Sequence, residues 1–370
     1  MVALDGGIGS MRLIDGPRSA TPSDLDEVIA LVDAAMRAGS DQSMRTDYPL
    51  VYRSDNLHNV RVLRVDGELV SVVPVLPRHI RLGTAELGLG VISPTATDPA
   101  HRHRGYASRC LVSCIDAMRA AGCALSVLWT LVETFPFYER AGYHPVRGQA
   151  FMYRLDPSEA SRFARDPGVV VTTLEPGDTA SLETIRALHE RDGDGDGILR
   201  TRSEYPALLS LPRMHTLLAS RGRRLAGYLI VSRAINKPGL LEAGGDPAAI
   251  ETLVNEALVR MDTGTSLDAH GTLATSGLPT VLDRRVASRR TAVLDGMMIR
   301  INDLPAVLRA VARPAAGGSA TPDIELAEDA WTPALFGSHP ARPFMPPAGL
   351  AERLGISLPI PFPIPVLDRS

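Results

Sequence analysis

Apolar and polar residues alternate along this chain in two periods, and the changes of period mark its elements. From Leu25, apolar positions recur at Val28, Ile29, Val32 and Met36, the spacing of one helical face. Thr21-Pro22 in front reads as an N-cap followed by proline at the first helical position. Residues 60–65 read as a strand, Asp66-Gly67 as a two-residue hairpin turn, and 68–76 as the returning strand. A third strand is expected near 79–82, turning at Gly83-Thr84. A fourth is expected over 85–97, interrupted at Ser93-Pro94, where proline removes a ladder donor. Ala107, Cys110, Leu111, Cys114, Met118 and Ala121 then stripe a helix over 106–121, with Gly122 placed to close it. Residues 123–129 are nearly all apolar, as expected of a strand covered on both faces. A short helix over 135–141 ends at Gly142, and 143–146 and 151–155 read as strands closing this first module.

The pattern then starts again. Residues 156–168 are polar and irregular and are taken as a boundary. Beyond it, 169–174 is strand-like, 181–190 helical, and 215–219, 224–232 and 240–243 strand-like. Residues 247–261 form an amphipathic helix, 266–270 a strand, and 291–301 a further strand. The order of elements echoes the first module, which suggests a diverged internal repeat. The expected division is a disordered tail over 1–10, one module over 11–156, a second over 168–305, and a linker with an extended segment over 306–370. Prolines at every second or third position near the end (LPIPFPIPVLDRS) favour extended backbone there. The expected class is α/β (α+β), with mixed, mostly antiparallel sheets flanked by helices.

Composition narrows the function by exclusion. The 370 residues are 45% hydrophobic and 22% charged, with a formal net charge of -3, so neither nucleic acid nor a membrane surface is an expected partner. No run approaches 18 apolar residues, and residues 1–10 lack the pattern of a secretory signal. The three cysteines, Cys110, Cys114 and Cys123, offer neither a zinc site nor a disulfide framework, so a cytoplasmic protein without a metal is expected. Two other patterns are discounted. Asp192 to Gly197 resembles the start of a calcium loop, but its twelfth position is Ser203, and the segment reads as a flexible acidic turn. Gly88-x-Gly90 lacks the rest of a dinucleotide fingerprint.

The chemistry concentrates in residues 97–108, TDPAHRHRGYAS. A strand ends, the chain turns, and a helix begins at small residues. A helix start presents unpaired N–H groups and the positive end of the dipole, which suits a pyrophosphate. Gly105 and Ala107 allow close approach, and Arg102 and Arg104 add positive charge. Arg102-x-x-Gly105-x-Ala107, with Pro99 in front, resembles the acetyl-CoA loop of the GNAT superfamily of N-acetyltransferases. Phe137-Tyr138-Glu139-Arg140-Ala141-Gly142-Tyr143 resembles a second segment of that superfamily. A GNAT domain followed by a motif-poor GNAT-like module resembles the enhanced-intracellular-survival (Eis) acetyltransferases, as does Leu294 to Ala306. The likeness spans roughly residues 11–305. The chain departs from that family beyond it, with only about 60 residues where those proteins carry a third, sterol-carrier-like domain.

The resemblance implies transfer of an acetyl group from acetyl-CoA to a primary amine of a small molecule or peptide, within a ternary complex. The alternative is a non-catalytic acyl-CoA-binding sensor or scaffold. Thr95, Ala96, Thr97, Arg102, His103, Arg104, Gly105, Tyr106, Ala107 and Ser108 are the expected cofactor contacts. The Thr95–Thr97 backbone is also placed to bind the thioester oxygen. Tyr138 matches the family's general acid, a phenol that keeps its proton at neutral pH. Asp98 and Glu133 are conceivable bases, and Tyr48, Tyr52 and Asn56 are candidates to line the acceptor cleft. In Eis-like enzymes the terminal carboxylate is the base, which brings in Asp368 and the Ser370 carboxylate. A homo-oligomer is compatible with this reading.

Overall fold

The structure is a computed structural model. It describes residues 3–4, 12–146, 148–192, 197–232, 239–261, 266–271, 277–286, 289–294, 296–312 and 324–362. The first half holds β1 (Ala3–Leu4), β2 (Leu13–Ser19), α1 (Leu25–Met36), α2 (Met44–Asp47), β3 (Val60–Val65), β4 (Glu68–Leu82), β5 (Ala85–Ile92), β6 (Ala96–Thr97), α3 (Tyr106–Ala120), β7 (Cys123–Trp129), α4 (Phe135–Glu139) and β8 (His144–Pro145). The second half holds β9 (Gly148–Leu155), β10 (Val169–Thr173), α5 (Thr179–Asp192), β11 (Gly197–Leu199), α6 (Glu204–Leu209), β12 (Met214–Arg221), β13 (Arg224–Ser232), β14 (Gly239–Gly245), α7 (Pro247–Val259), β15 (Leu267–Gly271), α8 (Leu278–Arg285), β16 (Arg289–Leu294) and β17 (Met297–Ile301). Three helices follow, α9 (Leu304–Val311), α10 (Trp331–Phe336) and α11 (Leu350–Leu354).

Two sheets result. The first runs β1-β2-β3-β4-β5-β7-β17-β8, with β6 and β11 also paired to β4; the second runs β10-β12-β13-β14-β15-β9-β16. Only β5–β7 and β14–β15 are parallel among the pairs described. Each parallel pair is bridged by a helix, α3 and α7 respectively, as a crossover between parallel strands requires. Alternation along the strands of the first sheet sorts its side chains to two faces. Val62 and Val72 join the core with Val28 and Val32 of α1, and Leu63 and Val73 join the core with Cys110, Leu111 and Cys114 of α3. The α1-side core continues into Ile185, Leu188 and Leu208, and into Trp331 and Leu335 of α10. Two buried ion pairs lie within these layers. Arg200 contacts Glu242 at 2.7 Å, and Arg78 of β4 reaches Glu204 of α6 at 3.5 Å.

The structure corrects several expectations. The strands expected at 68–76 and 79–82 are one strand, β4. Its partners change along its length: β3 pairs with residues 68–74 and β11 with 79–81, while β6 pairs with 71–72 and β5 with 75–82. Pro74 and Pro77 each fall opposite a gap on one edge, where a missing N–H costs no ladder bond. The strand β2 was not among the expected elements; it bulges at Gly16-Pro17 against β3. A Cβ on Gly16 would stand 2.6 Å from the Val62 carbonyl oxygen, so the bulge needs glycine. The expected N-terminal disorder fails at Ala3–Leu4, which pair with β2; residues 1–2 and 5–11 lie outside the described residues.

The largest correction is an exchange of strands. Residues 151–155 were expected to close the first module, yet they belong to β9, which pairs with β15 and β16 in the second sheet. The single strand expected over 291–301 is two: β16 stays in the second sheet, while β17 inserts between β7 and β8 of the first. Local apolar patterning identifies a strand but carries no information on which sheet takes it. The span 306–370, expected as linker and extended chain, contains most of α9 and all of α10 and α11. Pro333 sits in the first turn of α10, where proline is tolerated. Most of the expected linker, residues 313–323, lies outside the described residues, as do 193–196 of the acidic turn.

Candidate active site

The cleft originates in the parallel pair β5–β7. Pairing runs from Gly88↔Cys123 to Val91↔Val127 and stops. Beyond that point the strands part. One side turns away as β6 to pair with β4, and the other continues as β7 against β17. The opening is a cleft of about 1150 Å³ whose walls include Ile92, Thr95, Thr97, Leu128, Trp129 and Tyr138. Glycines set the approach of α3 to the sheet beneath it. A Cβ on Gly90 would lie 2.0 Å from the Met118 sulfur, and one on Gly88 would lie 2.6 Å from the Gly122 carbonyl oxygen. The Gly88-x-Gly90 pair therefore serves packing.

The loop from 97 to 108 forms one end of the cleft. Asp98 accepts a hydrogen bond from the Ala100 amide at 2.9 Å and contacts His101 Nδ1 at 3.0 Å, tightening the turn. These contacts hold its carboxyl below the usual carboxylate range, the His101 hydrogen bond contributing most. Gly105 is the N-cap of α3 at φ +78°, the left-handed region that favours glycine. The first-turn N–H groups of the 15-residue α3 follow directly, beside Arg102, His103, Ala107 and Ser108 on the cleft wall. A Cβ on Gly105 would meet no protein atom within 4 Å, so the space beside it is open. The arrangement suits a phosphate-bearing ligand.

Tyr138 lies on α4 at the opposite wall, 9% exposed, and hydrogen-bonds the Thr95 side chain. Its ring packs on Phe137 at 4.7 Å and on Tyr143 at 6.1 Å. Burial raises its hydroxyl above the ordinary phenol value, outweighing the Thr95 hydrogen bond, so the group remains a proton donor at neutral pH. One cleft thus joins the glycine-capped start of α3, two parted strands and a protonated phenol.

Residues 17–146 match the family model described as "Acetyltransferase (GNAT) domain". Over these residues the chain is similar to a GNAT acetyltransferase domain. Solved structures with the same fold include a GCN5-related N-acetyltransferase from Kribbella flavida, 15% identical, covering 82% of this chain and 74% of its own, with a TM-score of 0.61. A probable N-acyltransferase from Enterococcus faecalis V583, described as a conserved protein of unknown function, is 17% identical over 81% and 75%, at 0.63. Eis1 from Mycobacterium abscessus is 17% identical over 81% and 76%, at 0.54. These likenesses, covering both halves of the chain, show a shared fold. No curated protein sequence matches the chain.

Within residues 17–146 the structure sorts the expected site residues. Thr95, Thr97, Arg102, His103, Gly105, Tyr106, Ala107, Ser108 and Tyr138 line the cleft. Ala96 does not: strand alternation turns it into the α1-side core, where it is 3% exposed. Arg104, one residue before the cap, is exposed and lies off the cleft wall. Tyr48 lines the cleft, but Asn56 is buried and donates to the carbonyls of Val51 and Val75 at 2.8 and 3.1 Å, a structural role. Tyr52 is 3% exposed and also away from the cleft. Cys110 and Cys114 are buried core thiols, as expected. Asp368 and Ser370 lie outside the described residues.

Two features escaped sequence reasoning. The first supports α4 from the distant C-terminal segment. Arg342 contacts Glu139 at 2.8 Å, His339 stands edge-on to Phe135 at 5.4 Å, and the His339 amide donates to the Pro145 carbonyl at 3.1 Å. These residues lie about 200 positions from the helix they hold, with no motif to announce them. The second concerns the turn in the second half that corresponds to the cofactor loop. There the Gly245 amide, just before α7, donates to the Asp192 carboxylate at 2.5 Å. An internal carboxylate takes this backbone donor at the end of β14, two residues before α7 begins at Pro247, and the N-cap residue Asp246 carries a further acid.

Proposed function

We propose that this protein transfers an acetyl group from acetyl-CoA to a primary amine by direct attack within a ternary complex. The observation that carries the reading is the single cleft that holds both the α3 start and the buried Tyr138 hydroxyl. The pyrophosphate would rest on the first-turn N–H groups at Gly105 to Ser108, with Arg102 and His103 beside it. The pantetheine arm would run between the parted strands β5 and β7 toward Tyr138.

The amine nitrogen then attacks the thioester carbonyl carbon, and the developing oxyanion takes hydrogen bonds from backbone donors near Thr95 to Thr97. Collapse breaks the C–S bond. The departing thiolate takes the Tyr138 hydroxyl proton, and water restores it. An alkylammonium near pKa 10.4 must lose a proton before attack. Asp98 is held ionised by its contacts with His101 and Ala100, which weakens it as a base. Glu133 lines the cleft and makes no ion pair among the described residues, so it is assigned that proton. Only the first module is proposed to bind acetyl-CoA, because at the corresponding turn of the second Asp192 takes the Gly245 amide and Asp246 adds an acid at the helix cap.

The test is thiol release from acetyl-CoA on incubation with a panel of amines, alongside calorimetric binding. Amine-dependent release with one acetyl-CoA bound per chain is the expected result. Binding without release from any amine would instead establish an acyl-CoA-binding module, and two equivalent sites would overturn the assignment to the first module.

A further inference from the structure

We propose that Arg300 is a positioning residue for the transfer, fixing the Tyr138 hydroxyl through the turn that ends α4. This rests on the acyl-transfer reading and adds to its machinery a side chain from the second half of the chain. Arg300 sits on β17, 159 positions from the carbonyl it engages. α4 has five residues, too few to hold its own place, because an isolated helix of that length is marginal in water. Its position is set by what meets its ends. Beyond the helix, Gly142 takes the left-handed conformation at φ +80° and donates to the Glu139 carbonyl at 2.9 Å. The Ala141 and Tyr143 amides both donate to the carbonyl of Tyr138, at 2.9 and 3.2 Å. The turn is therefore bonded to the backbone of the acid itself. Carbonyls at a helix end lack partners within the helix, and the Ala141 carbonyl accepts from Arg300 Nε at 2.9 Å. A Cβ on Gly142 would stand 3.2 Å from the same nitrogen, so the guanidinium lies directly against the turn.

Arg300 is in turn fixed to the cleft wall. It pairs with Ser126 in the ladder between β17 and β7, so the two side chains share a face of the sheet. Both reach the same turn. The Ser126 hydroxyl donates to the Tyr143 hydroxyl at 2.9 Å, and the Tyr143 ring stands 6.1 Å from that of Tyr138. Arg300 Nη1 donates to Asn302 Oδ1, and Asn302 Nδ2 donates to the Cys123 carbonyl at 3.1 Å. The same strand pairs Met297 with Trp129 and Met298 with Leu128, two residues of the cleft wall. β17 thus joins the parted strand β7 to the helix that carries Tyr138, and Arg300 makes the connection. A planar guanidinium held at two nitrogens allows little play. A proton donor must come within about 2.6–3.2 Å of the atom that takes its proton, so small shifts of α4 matter.

The test uses the full chain, with Arg300→Gln, Arg300→Lys, Tyr138→Phe and the double variant of Arg300→Gln and Tyr138→Phe. Thiol release is followed with acetyl-CoA as donor and butylamine, 2-phenylethylamine, spermidine and kanamycin as acceptors. Arg300→Gln should lower kcat by about 10- to 100-fold, the cost of a misplaced reacting group, while the acetyl-CoA Kd by calorimetry moves by less than about twofold. Arg300→Lys, which keeps a donor for the Ala141 carbonyl but not the fork, should fall between native and Arg300→Gln. In the Tyr138→Phe background, Arg300→Gln should lower kcat by less than about twofold, because residues that act through one group are not additive. Equal losses in the two backgrounds would mean general damage to the fold and would overturn the proposal, as would native kcat in Arg300→Gln. Amide exchange separates this from the transfer reading. If no acceptor releases thiol, transfer falls. Faster exchange over 138–143 in Arg300→Gln, with native exchange elsewhere, then upholds the hold on Tyr138, and native exchange over 138–143 overturns it.

Discussion

Replacing Tyr138 with phenylalanine removes one oxygen from a ring whose other contacts stay in place. The ring is 9% exposed and packed edge-on against Phe137 and Tyr143, and phenylalanine fills the same space. The structural loss is the hydrogen bond with Thr95, worth about 1 kcal/mol, so the fold and acetyl-CoA affinity should survive. The catalytic loss is larger. Without a donor the thiolate leaves unprotonated, and kcat should fall by about 10²- to 10⁴-fold, or about 3 to 5 kcal/mol of barrier. The pH profile carries a second signature. Because burial raises the Tyr138 hydroxyl above its ordinary value, its acid form is present throughout neutral pH and is lost only as pH rises through that raised value. The native enzyme should therefore show no loss of kcat from this group below about pH 10, and the phenylalanine variant should lack the alkaline decline. Stopped-flow thiol release across pH measures both. A variant with native kcat, or with the same alkaline limb, would reduce Tyr138 to a packing residue.

Three further outcomes follow from other parts of the structure. Gly105→Val should raise the acetyl-CoA Kd at least about tenfold by calorimetry, because a β-branched residue at φ +78° stores about 1–3 kcal/mol of strain and shifts the helix start; no protein atom lies in the way, so unchanged affinity would remove the loop from the binding site. Arg342→Ala should lower kcat by up to about tenfold through a less well held α4 and speed amide exchange over 138–143, while stability shifts by less than about 1 kcal/mol because the pair is half-exposed. Native exchange in that variant would show that the C-terminal segment does not hold the helix. Asp24, 2% exposed and bonded to Arg18, Arg64 and Thr21, is held well below the ordinary carboxylate value, chiefly by Arg18. Its stabilisation is complete above about pH 4 and lost as pH falls below it. Asp24→Asn should cost about 3 kcal/mol at pH 7 and progressively less toward pH 2; a constant difference across that range of thermal melts would refute the assignment.

Local rules were enough to place most of what makes the cleft. The stripe of Cys110, Leu111, Cys114 and Met118 marked α3, and the apolar run 123–129 marked β7 as a doubly covered strand. The glycine at 105 marked the turn between strand and helix. These are legible because helix and strand periods, caps and tight turns depend on residues within one or two turns of each other. Arg102, His103, Ala107, Ser108 and Tyr138 could be placed on the cleft for the same reason: the turn before α3 and the segment of α4 are each contiguous in sequence.

Tertiary structure decided what depends on partners distant in sequence. The strands β9 and β17 sit in each other's expected sheet, and local patterning in either segment does not distinguish the two placements. Ala96 and Thr97 differ by one position yet face core and cleft, which follows only once the pairing of β6 with β4 is known. Asn56 was a cleft candidate because the corresponding region shapes the cleft in the family it resembles; its hydrogen bonds to the Val51 and Val75 carbonyls depend on how its segment packs against β4. The support of α4 by Arg342 and the engagement of Gly245 by Asp192 join residues 203 and 53 positions apart. Sequence period reports the face an element presents, whereas the identity of whatever covers that face is a property of the folded chain.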